Sequence, residues 1–246
     1  MIRLLVLMLL VGSVALPVKA DDSGLIISVG ADKKVNKKLT LGTELEWRTR
    51  NNWRTADRLA LSLDAQYRLL PWLKAGAGYV LLVDNNPEKI SYHTGGDLNN
   101  WRPSYWGTRH RLNATLTGTY TYKKRFSVSL RERYQFTWRP THTTRRYDFD
   151  NAYWEDTDVD SRCKHVLRSR LKLEYNPRKC PVDFWSSVEF FNALRLEKTR
   201  VQVGADYKIQ KKHTLSLYYR YQAVNGDDDE TETDMHMVGL GYNFKF

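Results

Sequence analysis

Apolar and polar residues alternate along most of this chain, with a period of two. From Lys38 to Arg50, Leu39, Leu41, Leu45 and Trp47 fall on one side, and Thr40, Glu44, Glu46, Arg48 and Arg50 on the other. Successive side chains of a strand point to opposite faces, so the pattern predicts a strand that is apolar on one face and charged on the other. The same reading predicts eleven strands: 24–32, 38–50, 57–69, 72–83, 108–122, 126–138, 165–175, 182–192, 199–209, 213–223 and 235–246. Each is long enough for a tilted strand that crosses a bilayer, which takes about 9–11 residues. No helical segment after residue 20 is available to cover so large an apolar face. Lipid is therefore the expected cover.

The connections fall into two classes. Leu70-Pro71, Lys123–Arg125, Asn176–Pro181 and Gln210–Lys212 are short. Asp84–Gly107, Arg139–Lys164 and Val224–Asp234 are long, with shorter connections at Asn51–Ala56 and Ala193–Lys198. Short turns at one end and longer loops at the other are typical of outer-membrane barrels. Tyrosines and tryptophans near strand ends (Trp47, Trp72, Trp138, Tyr122, Tyr175, Tyr221) match an aromatic girdle. The competing architecture is a soluble lipocalin-like barrel, which alternates too but turns its apolar face inward. The expected fold is all-β: an antiparallel, up-and-down transmembrane barrel of about 10–12 strands. Single-chain bacterial barrels have even strand numbers. The eleven segments therefore favour ten or twelve strands, with 24–32 outside the wall or a twelfth strand hidden in a long loop.

Residues 1–20 read as a secretory signal: Arg3, an apolar run from Leu4 to Leu16, and the small-x-small site Val18-Lys19-Ala20. The expected mature barrel spans 21–246. Removing Arg3 and Lys19 lowers the formal net charge from +11 to +9. The mean hydropathy of −0.60 fits a barrel whose strands are half polar. The basic character argues for anionic lipid or lipopolysaccharide as counterpart rather than nucleic acid, which an exported chain does not meet. Lysines mark the short turns (Lys33, Lys34, Lys37, Lys123, Lys124, Lys211, Lys212) and acidic residues the long loops, including Asp227–Glu230. Cys163 and Cys180 flank a strand that at ~3.3 Å per residue holds them about 35 Å apart, too far for a disulfide.

On these residues the chain resembles a known family of Gram-negative outer-membrane β-barrels, the domain of unknown function 2490. The matching stretches are Glu44-Leu45-Glu46-Trp47-Arg48 after a lysine-rich turn, Gly76-Ala77-Gly78-Tyr79, Arg109-His110-Arg111-Leu112 and Leu130-Arg131-Glu132-Arg133-Tyr134. The resemblance implies an outer-membrane barrel and supplies no activity or site. The ending Gly241-Tyr242-Asn243-Phe244-Lys245-Phe246 is similar to the C-terminal signal that such proteins show to their barrel-assembly machinery.

The most distinctive inward feature is a repeated Arg-x-Arg: Arg48/Arg50, Arg109/Arg111, Arg131/Arg133 and Arg168/Arg170, placed mostly in the half of the lumen nearer the long loops. Two outcomes are open. The arginines fork onto Glu44, Glu46, Glu174, Glu189 and Asp206 and fill a narrow lumen, or they form a ring that selects or binds small anions such as a phosphate or sugar acid. A second candidate lies in the long loops, where Trp101, Trp106, Tyr153 and Trp154 offer faces for surface glycans or lipopolysaccharide. Enzymatic activity is not expected, because the outward polar residues His110, Glu132, Ser169 and Ser186 do not combine into a relay. Glu132 on the lipid face is unexplained except by a local bulge. The remaining histidines lack ligand spacing, so no metal and no cofactor are expected. The oligomeric state is open.

Overall fold

The computed structural model describes residues 22–178, 180–210, 212–225 and 233–246. The signal segment, Lys211 and the acidic run Asp227–Glu230 lie outside them. Eleven strands close into one barrel: β1 (Asp22–Lys34), β2 (Leu39–Arg50), β3 (Thr55–Leu70), β4 (Leu73–Asn86), β7 (Tyr105–Tyr122), β8 (Phe126–Arg139), β11 (Arg162–Tyr175), β12 (Val182–Ala193), β13 (Arg195–Ile209), β14 (His213–Val224) and β15 (Met235–Lys245). These are the eleven segments that the alternation predicts. Their ends move by a few residues.

The preference for an even number is corrected. The segment at 24–32 is a full barrel strand, and among the described residues no twelfth strand joins the wall. The ring closes because β1 pairs in parallel with β15, from Asp22↔Met235 to Asp32↔Lys245, while every other wall ladder is antiparallel. Parallel closure satisfies both strands' backbone groups without a return crossing, so parity is no constraint.

The apolar face is on the outside. Leu63, Leu112, Leu130, Leu217 and Leu240 are among the many exposed large apolar residues, whereas the buried inward positions include Asn113, Gln135, Thr137, Ser187, Glu189, Gln202 and Gln222. A soluble barrel would show the reverse. The polar inside and apolar outside are those of a membrane barrel. One small apolar cluster sits within, where Ile26, Met235 and Met237 pack beside the closing seam against Tyr218.

The long connections hold structure that the alternation does not reveal. β5 (Lys89–Tyr92), β6 (Leu98–Arg102), β9 (His142–Asp148) and β10 (Tyr153–Val159) form a separate four-stranded antiparallel sheet in the order β10-β9-β6-β5. Residues of two loops thus make one unit at the long-loop end. At the other end Lys123 and Lys124 of the three-residue turn both adopt positive φ (48° and 57°), a turn geometry whose twist matches the flanking strands.

Candidate functional site

The lumen is built from alternate residues of every wall strand, and its two halves differ. Toward the long loops, charges are paired and little space remains. Asp84 takes Arg58 and Arg109 together, the Arg109 contact at 2.7 Å. Lys164 pairs with Glu197 at 2.9 Å and Arg50 with Asp57 at 3.6 Å. The spaces left among these side chains measure about 60 and 80 Å³. Asp84 was expected in a loop because the apolar alternation stops at Val83. The ladder in fact continues to Asn86 and keeps Asp84 facing inward.

At mid-barrel the arginines of β8 and β11 meet a single carboxylate. Register sets Arg131 against Arg170 and Arg133 against Arg168. Glu189 of β12, only 1% exposed, accepts from Arg131 at 3.0 Å and Arg168 at 2.5 Å, with Arg170 at 3.8 Å. Arg133 has no ion-pair partner among the described residues. The buried Nε of each of these four arginines has no acceptor among the described residues. These two Arg-x-Arg pairs straddle the middles of their strands instead of lying nearer the long loops; Arg48/Arg50 and Arg109/Arg111 are the pairs that lie there. Beside this group Phe191 turns inward, with Arg168, Lys198 and Arg200 each within 4.9 Å of its ring centre. Cation–π contact with a desolvated ring helps hold this cluster of like charges together.

The other expected counter-charges behave differently from one another. Glu46 pairs with Arg48 of its own strand at 2.7 Å. Glu174 takes Lys172 at 2.7 Å, not an arginine. Asp206 accepts from Trp185 and Ser216 at 3.0 and 2.7 Å. Glu44 has no ion-pair partner among the described residues. It lines a cavity of about 460 Å³ at the short-turn end, together with Glu46, Asp64, Arg170, Lys172 and Arg220. A second cavity of about 200 Å³ is bordered by Lys74, Arg131 and Arg133 and shares Gln66 and Arg170 with the first.

Glycine makes room in this cavity. A Cβ on Gly239 would lie 2.0 Å from the Tyr218 ring, so only glycine lets that ring lie flat on the wall. Tyr218 and Trp185 stand 5.9 Å apart, and together they give the cavity one aromatic side.

The outward polar residues do not assemble a relay. His110 bonds the Tyr79 hydroxyl at 2.7 Å and stacks on Trp138. Ser169 instead donates to Glu132 at 2.6 Å. Glu132 stays on the outward face. Both ladders run through it unshifted, opposite Leu116 and Ser169, so there is no bulge to turn it inward. Cys163 and Cys180 are free and exposed, one at the start of β11 and the other in the turn after it. Among the described residues no group of three His, Cys, Asp or Glu is placed to hold a metal ion.

Of the loop aromatics, Trp101 and Trp154 come together on the outer sheet with ring centres 5.5 Å apart, and Tyr147 packs on Trp154. Trp106 sits on the wall strand β7 and Tyr153 at the start of β10, both exposed. In the turn between β9 and β10, Asp148 accepts from the Asn151 side chain and from two backbone N–H groups. These bonds, led by that of the Asn151 side chain, hold its carboxyl below the usual aspartate range.

Comparison with known proteins agrees with this architecture. The β domain of the Bordetella autotransporter BrkA is 11% identical over 85% of this chain and 82% of its own, with a TM-score of 0.51. The NanC porin is 12% identical over 92% of this chain and 98% of its own, with a TM-score of 0.48. At 11% identity the BrkA likeness speaks for the barrel fold alone. No curated protein matches the chain. The model of the DUF2490 family, described as a protein of unknown function, matches residues 24–233, and the chain therefore belongs to that family of β-barrel proteins.

Proposed function

We propose that this protein is an integral barrel of a Gram-negative outer membrane, delivered by the signal at 1–20, whose arginine-rich lumen binds small anionic solutes and passes them slowly. One observation carries the reading: Arg131, Arg133, Arg168 and Arg170 gather at mid-barrel around the single carboxylate of Glu189, each with a buried Nε–H that has no acceptor among the described residues. A purely structural network would match charge with charge. Here Arg131, Arg133 and Arg170 border a cavity of about 200 Å³ that no carboxylate lines, and Arg170 also borders the larger one; arginine's planar fork suits a carboxylate or phosphate. The tightly filled half toward the long loops makes the conduit narrow. The role is non-enzymatic and needs no cofactor.

In this orientation the short turns face the periplasm, and their lysines meet anionic headgroups. The C-terminal strand ending at Phe246 is the handle for the assembly machinery. A second reading has the outer sheet bind surface glycan or lipopolysaccharide, favoured by the Trp101–Trp154 cluster that two loops build jointly.

Planar-bilayer recording under a salt gradient tests the first reading. The expected reversal potential indicates anion preference, reduced at least severalfold in the Arg131→Ala, Arg133→Ala double variant. A silent bilayer sinks passage, and a preference indifferent to the double substitution sinks the arginine site.

A further inference from the structure

Two adjoining cavities at the short-turn end bring together an acidic wall and a basic wall. Glu44 of β2 and Asp64 of β3 line the larger cavity, Arg133 of β8 lines the smaller, and Arg170 of β11 borders both. Around the ring of eleven, β11 is five strands from β2 one way and six the other, so Arg170 and Glu44 face each other across the lumen, while Arg133 of β8 stands three strands from Asp64 of β3.

Most neighbours of these groups are matched elsewhere. Glu46 is matched by Arg48, Lys172 by Glu174, and Asp32 accepts from Asn243, while Arg220 lines the larger cavity with Glu44. Glu44 and Asp64 have no ion-pair partner among the described residues. On the basic side Arg133 has none either, and Arg170 reaches Glu189 only at 3.8 Å, behind Arg131 and Arg168. The two cavities that join these groups share Arg170 and Gln66. Together they fall in the size range of small-molecule sites, about 300–1,000 Å³.

A simple anion against Arg133 and Arg170 would leave two carboxylates unmatched, and a simple cation would leave two guanidinium groups. A solute with a cationic group at one end and an anionic group at the other satisfies both walls. The Trp185–Tyr218 side offers apolar surface to the carbon chain between them. Taking as given that the lumen holds a solute, we infer that its ligand class is a small zwitterion of amino-acid to dipeptide size, held lengthwise between the Glu44/Asp64 wall and the Arg133/Arg170 wall.

Isothermal titration of the full-length protein in detergent, corrected against empty micelles, tests this with four probes of one chain length. These are ε-aminocaproate (both charges), caproate, hexylammonium and hexanediol. We expect ε-aminocaproate to bind at least about tenfold more tightly than the other three, the scale of one matched charge. Glu44→Gln removes its advantage over caproate, and Arg133→Gln removes its advantage over hexylammonium; unchanged heat-modifiable migration on gels shows that each variant keeps the barrel. If caproate binds as well as ε-aminocaproate to the unmodified protein, the zwitterion assignment fails while the anion-binding reading stands. If no probe binds, both fail. The comparison among probes needs no variant, so misfolding of a substituted chain leaves it decisive.

Discussion

The half of the lumen near the long loops and the half near the short turns are lined by the same strands and the same residue types, yet one is closed and the other open. In the first, Asp84 lies between Arg58 and Arg109, and gaps stay below about 100 Å³. In the second, Glu44, Asp64 and Arg133 stand without ion-pair partners around cavities of about 460 and 200 Å³. Inward charge by itself therefore does not decide whether a barrel interior is filled. Reach does. Where register places a carboxylate beside two guanidinium groups, the side chains fold onto each other and occupy the lumen. Where acids and bases stand on strands that do not pair with each other, these side chains form no ion pair among the described residues and space is left between them.

Glu189 sits on the boundary between the halves, and its replacement is expected to have the largest effect. Glu189→Leu strips the acceptor from Arg131 and Arg168 and leaves a buried cluster of like charges. Breaking a buried pair costs about 3–5 kcal/mol, expected here as a clear fall in the temperature of heat-modified migration. Stability equal to wild type would mean that the arginines are solvated and the boundary is not a constriction.

Asp84→Asn tests the closed half. Arg58 and Arg109 lose a charge-assisted acceptor, for an expected loss of about 1.5–3 kcal/mol by the same assay, with a measurable widening of the outer gap as conductance. Gly239→Ala tests the open half. The added methyl meets the Tyr218 ring, and overpacking costs about 1–3 kcal/mol; movement of the ring into the cavity predicts weaker solute binding. A change in solute binding from Asp84→Asn but not from Gly239→Ala would invert the comparison.

The smallest effect lies outside the lumen. Asp148 is held below its ordinary range by bonds that require the charged form. A group with a depressed folded pKa stabilises above its unfolded value, about 3.9 for aspartate, and that contribution is lost as pH falls through the folded one. Acidification from pH 5 toward 3 should therefore lower the amide protection factors, taken against the intrinsic rate at each pH, of Asp150 and Asn151 in the β9–β10 turn. Equal protection factors across that window would show that the turn does not depend on the carboxylate.

The wall was legible in the sequence because its physical signal repeats. Every membrane strand must present apolar residues at alternate positions, so eleven segments emerged close to their observed bounds. The outer sheet was not, because strands such as Lys89–Tyr92 and His142–Asp148 have no lipid to face and thus no reason to alternate. Asp84 was missed for a related reason: its strand outlasts the apolar pattern by three residues. Among the counter-charges, Glu189 was named, yet its capture of several arginines depends on the register of β8, β11 and β12. Composition does not encode that. Nor does Phe191 look like a lumen residue until register turns it inward among three cations.

The parallel seam between β1 and β15 has a consequence for how the barrel forms. Every other wall ladder joins strands that follow one another along the wall, so each can zip from its connecting turn. The seam joins residues as distant as Asp32 and Asn243, 211 positions apart, and no turn can start it. Closing so long a loop is entropically the most demanding contact in the molecule. Until it is made, β1 and β15 are the two bare edges of an open sheet. The hydrogen bonds from Asn243 to Asp32 and from the Phe246 backbone to the Asp32 carbonyl thus act as the latch, and the lumen with its two unlike halves exists only once that latch has engaged.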